Sequence, residues 1–324
     1  MNNSNDSQQA SEGGGKKTRG LPPVSVLAGW GVAIAVLVFF LIFDVQIKPR
    51  GGFLARTDES VAGVADPTAA TIKDLAVVVA PEEGYTVDVN WGDTGVKLVE
   101  VGGIDINKYK ENYGDEKYQE LLAYLTEPQN KGITITQDNA YFWVNTLWAL
   151  GLTQKSDVLD KGVMGVEYRD KLGNFASTGG WTLGAADAVS LYSSSVIVPL
   201  TEEQQALVAK VSSGIYRPCC GNPTSFPDCN HGMAILGLLE LMASQGSSEG
   251  EMYRAALAFN SYWFTQTYVD LAYYFKTEKG IEWSNVDAKE ILAAEFSSAA
   301  GYQSIKEKIG NVPGVSGSGG ACGA

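Results

Sequence analysis

The sequence is short of histidine and of positive charge, two features that metal-dependent enzymes and nucleic-acid-binding proteins commonly carry. His231 is the only histidine among 324 residues, which excludes multi-histidine metal centres and many histidine-containing catalytic triads. The 24 basic residues are outnumbered by 37 acidic ones, and the net charge is −13. Such a chain repels the phosphates of nucleic acids, so we expect no nucleic acid partner.

Several signature motifs are also missing. The chain has no G-x4-G-K-[ST] phosphate loop, no G-x-S-x-G nucleophile turn and no H-E-x-x-H helix. Nucleotide binding, α/β-hydrolase chemistry and zincin-type proteolysis therefore have no support from motifs. The sequence resembles no family that we can name, and whether the protein is an enzyme stays open.

One stretch near the N-terminus has no charged residue at all. Residues 24–43, VSVLAGWGVAIAVLVFFLIF, are 20 apolar or small residues, which is the length that crosses the hydrocarbon core of a bilayer as a helix. A cleaved signal peptide usually ends in small residues, whereas this run ends in Phe39, Phe40, Ile42 and Phe43. The pattern therefore predicts an uncleaved transmembrane helix that acts as a signal-anchor.

The predicted span divides the chain into further segments. Residues 1–23 are polar and are expected to form a disordered cytoplasmic tail, and residues 44–73 read as a linker. The long acidic part, residues 74–312, is expected to be an extracytoplasmic domain of a plasma membrane protein with a single span. Residues 313–324 are rich in glycine and serine and predict a flexible tail.

The first part of the predicted domain, residues 74–106, looks β-rich. Residues 75–79 form a short apolar run that ends before a proline, and residues 85–91 and 96–101 alternate between apolar and polar positions. Gly92-Asp93-Thr94-Gly95 between the last two segments is a turn sequence. We expect a small β-hairpin at the start of the domain, packed on helices.

Residues 107–312 carry mainly helical patterns, so the predicted fold class is mainly α. Thr201 followed by Glu202, Glu203 and Gln204 is a typical helix start. A brief extended piece is expected at 133–136. Helices are predicted at 107–113, 115–125, 139–152, 156–162, 185–192, from 201, 229–243, 250–276, 287–300 and 302–309.

Aromatic residues are concentrated between residues 253 and 275. A stripe of this kind usually packs in a hydrophobic core. The alternative is a groove in which the rings stack on sugars or contact a peptide. If the rings form such a groove, the partner would be a protein or a glycan.

The most unusual stretch is residues 216–246, YRPCCGNPTSFPDCNHGMAILGLLELMASQG. It holds Cys219, Cys220, Cys229 and His231 in a loop that leads into a strongly apolar helix. Thiolate sulfur and imidazole nitrogen are ligands for zinc and copper, so these four residues are the candidate metal ligands. Adjacent cysteines are awkward ligands for one ion because their side chains diverge.

A disulfide is the simpler alternative for the same cysteines. An extracytoplasmic domain permits one, and a bridge from Cys219 or Cys220 to Cys229 would close a loop of about ten residues. Cys322 could then pair with the remaining thiol. A third alternative is a reactive thiol at Cys229.

Position along the chain refines these alternatives. Asp228 is expected to be the N-cap of the helix, which puts Cys229 in its first turn, where the helix dipole favours a thiolate. Arg217 could add positive charge nearby. Residues 229 and 231 are two apart, a spacing that directs side chains to different sides of a helix, so no Cys–His dyad is expected.

Two function classes follow from the sequence. The first is a membrane-anchored domain that binds metal, zinc or copper, or does thiol-redox chemistry at Cys219, Cys220, Cys229 and His231. The second is a membrane-anchored interaction or structural domain whose cysteines form a structural disulfide. A glycan-processing enzyme has only the aromatic content in its favour.

Overall fold

The computed structural model describes residues 67–310 and Val312, without the side chains of residues 67–70 and Lys117. The predicted cytoplasmic tail, the predicted span at 24–43 and the predicted tail at 313–324 lie outside these residues. The last part of the predicted linker, residues 67–73, belongs to the first described helix. Between residues 67 and 310 no helix is both long enough and apolar enough to cross a membrane.

The described residues are mainly helical, as the sequence predicts, with one small antiparallel sheet. Three short 3-10 helices lie at Glu116–Tyr118, Arg169–Asn174 and Trp283–Asn285. The strands are β1 (Tyr85–Val87) and β2 (Ile133–Ile135). The helices are α1 (Pro67–Val79), α2 (Thr94–Glu100), α3 (Ile106–Tyr113), α4 (Gln119–Thr126), α5 (Ala140–Thr153), α6 (Asp157–Lys161), α7 (Val163–Glu167), α8 (Ala188–Leu191), α9 (Glu202–Ser213), α10 (Asn230–Ser244), α11 (Glu249–Trp263), α12 (Thr265–Glu278), α13 (Ala288–Ile291), α14 (Ala294–Ser297) and α15 (Ala299–Ile309).

Helices α5 and α10 form the centre of the domain and make the most extensive helix–helix contact in the described chain. Both are buried over nearly their whole length, which explains why their sequences are apolar on all sides. A side chain at Gly151 would overlap the carbonyl oxygen of Met233, and a Cβ at Gly237 would lie 2.5 Å from that of Leu147. The two glycines therefore let the backbones touch where the helices cross.

The predicted hairpin at 85–101 is wrong in its pairing. β1 begins at Tyr85 as expected, but its partner is β2, with Tyr85 opposite Ile135 and Val87 opposite Ile133. The predicted second strand is helix α2, where a Cβ at Gly95 would overlap the carbonyl oxygen of Tyr124. The extended piece predicted at 133–136 is thus the true partner strand.

The apolar run at 75–79 is also helical rather than extended. Ile72, Leu75 and Val79 are buried, whereas Val77 and Val78 are 61% and 53% exposed. Burial at intervals of three and four residues is the pattern of one helix face. A short apolar run that ends before a proline predicts a strand, but only one face of this run meets the core.

Most of the aromatic stripe lies in the core. The predicted helix at 250–276 is two helices, α11 and α12, which meet at Phe264. Seven of its aromatic residues are less than a tenth exposed: Tyr253, Phe259, Tyr262, Trp263, Phe264, Tyr268 and Phe275. The core interpretation is confirmed for these rings, and the stacking groove loses its main support.

Two helix starts show how well capping patterns work as predictors. Thr201 caps α9 with the complete capping box that its sequence predicts, since Gln204 Nα donates to the Thr201 hydroxyl and the Thr201 amide donates to Gln204. For α10 the expected N-cap, Asp228, is wrong. Cys229 occupies that position in extended backbone, and its sulfur accepts a hydrogen bond from the Gly232 amide.

Candidate functional site

The Cys/His loop, residues 214–231, connects α9 to α10 and includes the first residues of α10. Backbone hydrogen bonds join it to residues near the C-terminal end of the described chain. The Tyr216 amide donates to Leu292 O at 2.8 Å, and the Ala299 amide donates to Cys220 O at 2.9 Å. The Ser177 amide also donates to Asp228 O at 3.2 Å. Three distant segments therefore fix the backbone on which the cysteines stand.

The two adjacent cysteines sit in a tight turn. The Cys220 amide donates to Arg217 O at 3.3 Å, which closes a four-residue turn with Pro218 as its second residue. Proline favours that position because its ring fixes φ. Cys219 and Cys220 therefore occupy the third and fourth positions of this turn, and their side chains are hydrogen-bonded to each other.

A fully buried arginine lies beneath the loop. Arg217 Nε donates to Cys229 Sγ at 3.1 Å, Nη1 to Asn222 O at 2.9 Å and Nη2 to Asp228 Oδ1 at 2.8 Å. A Cβ at Gly232 would lie 2.5 Å from the guanidinium carbon, so only glycine leaves room for it. The guanidinium is satisfied on all its edges by the loop and by the start of α10.

Cys229 collects hydrogen-bond donors. Its sulfur lies 3.4 Å from Cys219 Sγ and also receives the Gly232 amide at 3.4 Å. Hydrogen bonds from Cys219 and Cys220, together with the charge and hydrogen bond of Arg217, hold the pKa of Cys229 well below its ordinary value. Hydrogen bonds with Cys220 and Cys229, together with burial, raise the pKa of Cys219. The surroundings therefore favour the thiolate form at Cys229 and the protonated form at Cys219.

His231 lies in the first turn of α10 and is only 6% exposed. Its ring packs against Phe264 at 4.5 Å and edge-on against Trp263 at 5.4 Å between centroids. Burial lowers the pKa of His231 to about 4, so the imidazole is neutral at pH 7. Its Nδ1 is buried without a hydrogen-bond partner.

Three of the four predicted ligands converge. The sulfurs of Cys219 and Cys229 and one imidazole nitrogen of His231 all lie within 4.8 Å of one another. The expectation that residues 229 and 231 point apart is wrong, because Cys229 is an extended N-cap and not a helical residue. Its side chain folds back over the first turn, where His231 begins.

Cys220 belongs to a second, overlapping group. Its sulfur, a carboxylate oxygen of Asp228 and Cys229 Sγ lie within 4.8 Å of one another. Asp228 is a possible oxygen donor that the sequence interpretation did not propose; the available signal was only its position next to Cys229. Here its Oδ2 also accepts from Asn222 Nδ2 at 2.6 Å.

The cysteines that the structure describes are free thiols, and no disulfide joins Cys219, Cys220 or Cys229. Cys322 lies outside the described residues. The structural-disulfide prediction thus finds no support in the loop.

Comparison with known proteins does not add to this picture: no family model matches the chain, and no curated protein or solved structure is significantly similar to it.

Proposed function

We propose that the protein is a membrane-anchored, extracytoplasmic domain that binds one soft metal ion, zinc or copper, through Cys219, Cys229 and His231. The observation that carries the proposal is the convergence of two sulfurs and one imidazole nitrogen within 4.8 Å. A tetrahedral ion with metal–sulfur bonds of about 2.3 Å separates its two sulfur ligands by about 3.8 Å. The two sulfurs lie 3.4 Å apart, so a shift of a few tenths of an ångström suffices.

The protonation states of the donors support the same conclusion. A metal ion requires thiolate and neutral imidazole, and otherwise must displace protons. The pKa of Cys229 is lowered, first of all by hydrogen bonds from its neighbouring thiols, and the pKa of His231 is lowered to about 4 by burial. The imidazole is therefore neutral at pH 7 and the surroundings of Cys229 favour its thiolate, whereas binding at Cys219 works against a raised thiol pKa.

The surrounding charges fit an ion with two thiolate ligands. Arg217 forms an ion pair with Asp228 at 2.8 Å, so this pair adds no net charge. Two thiolates neutralise a divalent ion and leave one negative charge on a monovalent one. Three protein donors leave a fourth position free, which Cys220 or an external ligand could fill.

The membrane anchor and the location outside the cytoplasm rest on residues 24–43. Their length and lack of charge are those of a transmembrane helix. The acidic domain that follows, with its thiols gathered in one loop, would then meet metal ions of the cell exterior or periplasm.

Metal binding is tested with the purified full-length chain, reduced and stripped with a chelator. After the stripped chain is reloaded with Zn²⁺ or Cu⁺ and the excess is removed, we expect it to retain one equivalent of the ion. Elemental analysis and competition with a chromophoric chelator measure this. Cys229→Ser and His231→Gln should each weaken binding by at least about tenfold, the usual effect of losing ligand-shell contacts. Cys322→Ser is the matched control and should bind like the parent chain. A reloaded chain that retains neither ion refutes the proposal. So does a Cys229→Ser chain that binds the ion as the parent does.

A further inference from the structure

The pair Cys219 and Cys229 has a geometry that suits a second kind of chemistry. Their sulfurs are 3.4 Å apart, and a disulfide bond is about 2.05 Å long, so the two sulfurs need to approach by about 1.4 Å. Both residues are only partly buried.

The two sulfurs are held differently. Cys229 Sγ is fixed at the N-terminus of the 15-residue helix α10 and accepts hydrogen bonds from Arg217 Nε and the Gly232 amide. These donors stabilise negative charge on that sulfur. Cys219 stands in the turn that precedes Gly221, around whose Cα there is open space. The sulfur of Cys229 is therefore suited to be the first nucleophile. The sulfur of Cys219 is suited to attack Cys229 in a second step.

We propose that Cys229 and Cys219 form a dithiol that reduces hydroperoxides. Cys229 sulfur attacks the terminal oxygen of the peroxide, the O–O bond breaks, and the leaving oxygen takes a proton to become water or an alcohol. Cys229 is then a sulfenic acid. Cys219 sulfur then attacks the Cys229 sulfur, and a Cys219–Cys229 disulfide forms. The hydroxyl group of the sulfenic acid leaves and takes the thiol proton of Cys219, so that this step releases one molecule of water. The two thiols lose two electrons, and the peroxide gains them.

This reaction goes beyond the proposed metal site and does not require it. It uses two of the same sulfurs, so the two functions exclude one another in a single molecule. A bound ion blocks the attack by occupying both sulfurs, and the disulfide removes both sulfur donors from the ion. His231 and Cys220 are then the remaining donors.

The test uses the full-length chain with Cys322→Ser, reduced and stripped of metal, and one equivalent of hydrogen peroxide. Free thiols should fall from three to one, and peptide mapping should find the Cys219–Cys229 bond. Cys219→Ser should stop at a sulfenic acid on Cys229 that dimedone traps. Cys220→Ser tests whether the neighbouring sulfur is the partner instead; the variant keeps both sulfurs of the proposed pair and should still form the Cys219–Cys229 bond.

Other outcomes overturn the proposal. Three thiols that survive the treatment, a Cys220–Cys229 bond as the main product, or dimedone on Cys220 in place of Cys229 would each do so. Because these measurements are made without metal, they separate the two proposals. A chain that forms the bond but never retains zinc or copper loses only the metal site, and a chain that binds metal but does not oxidise loses only the dithiol reaction.

Discussion

A buried carboxylic acid in the centre of the domain makes the stability of the protein depend on pH in a predictable direction. Glu240 lies on α10 and is fully buried, and neither of its carboxylate oxygens has a hydrogen-bond partner. Burial raises the pKa of Glu240 well above its ordinary value of 4.5, although nearby Ser156 opposes the shift. The folded chain therefore keeps the proton at pH values where the unfolded chain releases it.

The size of the effect follows from this difference in bound protons. Stability due to Glu240 is fully present below the unfolded pKa of 4.5 and is lost as the pH rises toward the folded pKa. While the folded carboxyl stays protonated, the loss is about 1.4 kcal/mol for each pH unit. Between pH 5 and pH 7 the sum is at most about 2.5 kcal/mol, the limit in which the folded carboxyl keeps its proton throughout and the unfolded carboxyl is already partly ionised at pH 5.

Glu240→Gln removes the ionisation and keeps the shape of the side chain. The free energy of unfolding is measured in urea at pH 5 and pH 7, with tryptophan fluorescence as the signal. The difference between variant and parent should move in favour of the variant across this interval, by up to about 2.5 kcal/mol. All other titrating groups are common to both chains and cancel in the difference.

Glu100→Gln is the matched control, because Glu100 is exposed on α2. It shows what the loss of one surface carboxylate does to an acidic chain. Parallel pH profiles for the parent and Glu240→Gln would refute the reasoning. So would a Glu100→Gln chain that reproduces the whole change.

Three further predictions concern packing, the site and capping. Gly237→Ala should destabilise the domain by about 2 kcal/mol, because its Cβ meets the carbonyl of the facing helix, whereas Gly221→Ala, with open space around it, should change little in the same urea titration. Arg217→Met should slow iodoacetamide alkylation of Cys229 at pH 7 several-fold in the metal-free chain, because the charge and hydrogen bond of Arg217 help to lower the pKa of that thiol; an unchanged rate contradicts the role given to the guanidinium. Ser248→Ala should cost about 1 kcal/mol in thermal unfolding, because it removes the capping box of α11, and a chain with unaltered Tm would argue against that cap.

Sequence patterns predicted helices well where they carried a local signal. Thr201 and its three following residues form the capping box that the pattern indicates. The strands were harder to predict, because the residues that pair with β1 lie 46 to 50 positions further along the chain and no local pattern identifies them. Alternation at 96–101 also fits one turn and a half of helix, and contact with Tyr124 decides between the two.

The residues of the candidate site could be predicted from the sequence, but their geometry could not. The gathering of Cys219, Cys229 and His231 in one loop was visible in the sequence, and these three converge. The N-cap could not be predicted, because Asp228 is the better capping residue by chemistry. Its carboxylate is instead engaged by Arg217 and Asn222, which leaves Cys229 to cap the helix.

The anchoring of the loop has a consequence for the order of events during synthesis. The backbone of the Cys/His loop is held by Leu292 and Ala299, which follow it by about 75 residues or more. A growing chain can pair α5 with α10 as soon as residue 244 has emerged, and Ser177 can then bond to the loop, but the hydrogen bonds of Tyr216 and Cys220 form only once Leu292 and Ala299 are made. During this interval α9 and α10, which flank the thiols, can already form, whereas the hydrogen bonds from the C-terminal segments to the loop cannot. Ending translation before residue 292 would extend that interval indefinitely.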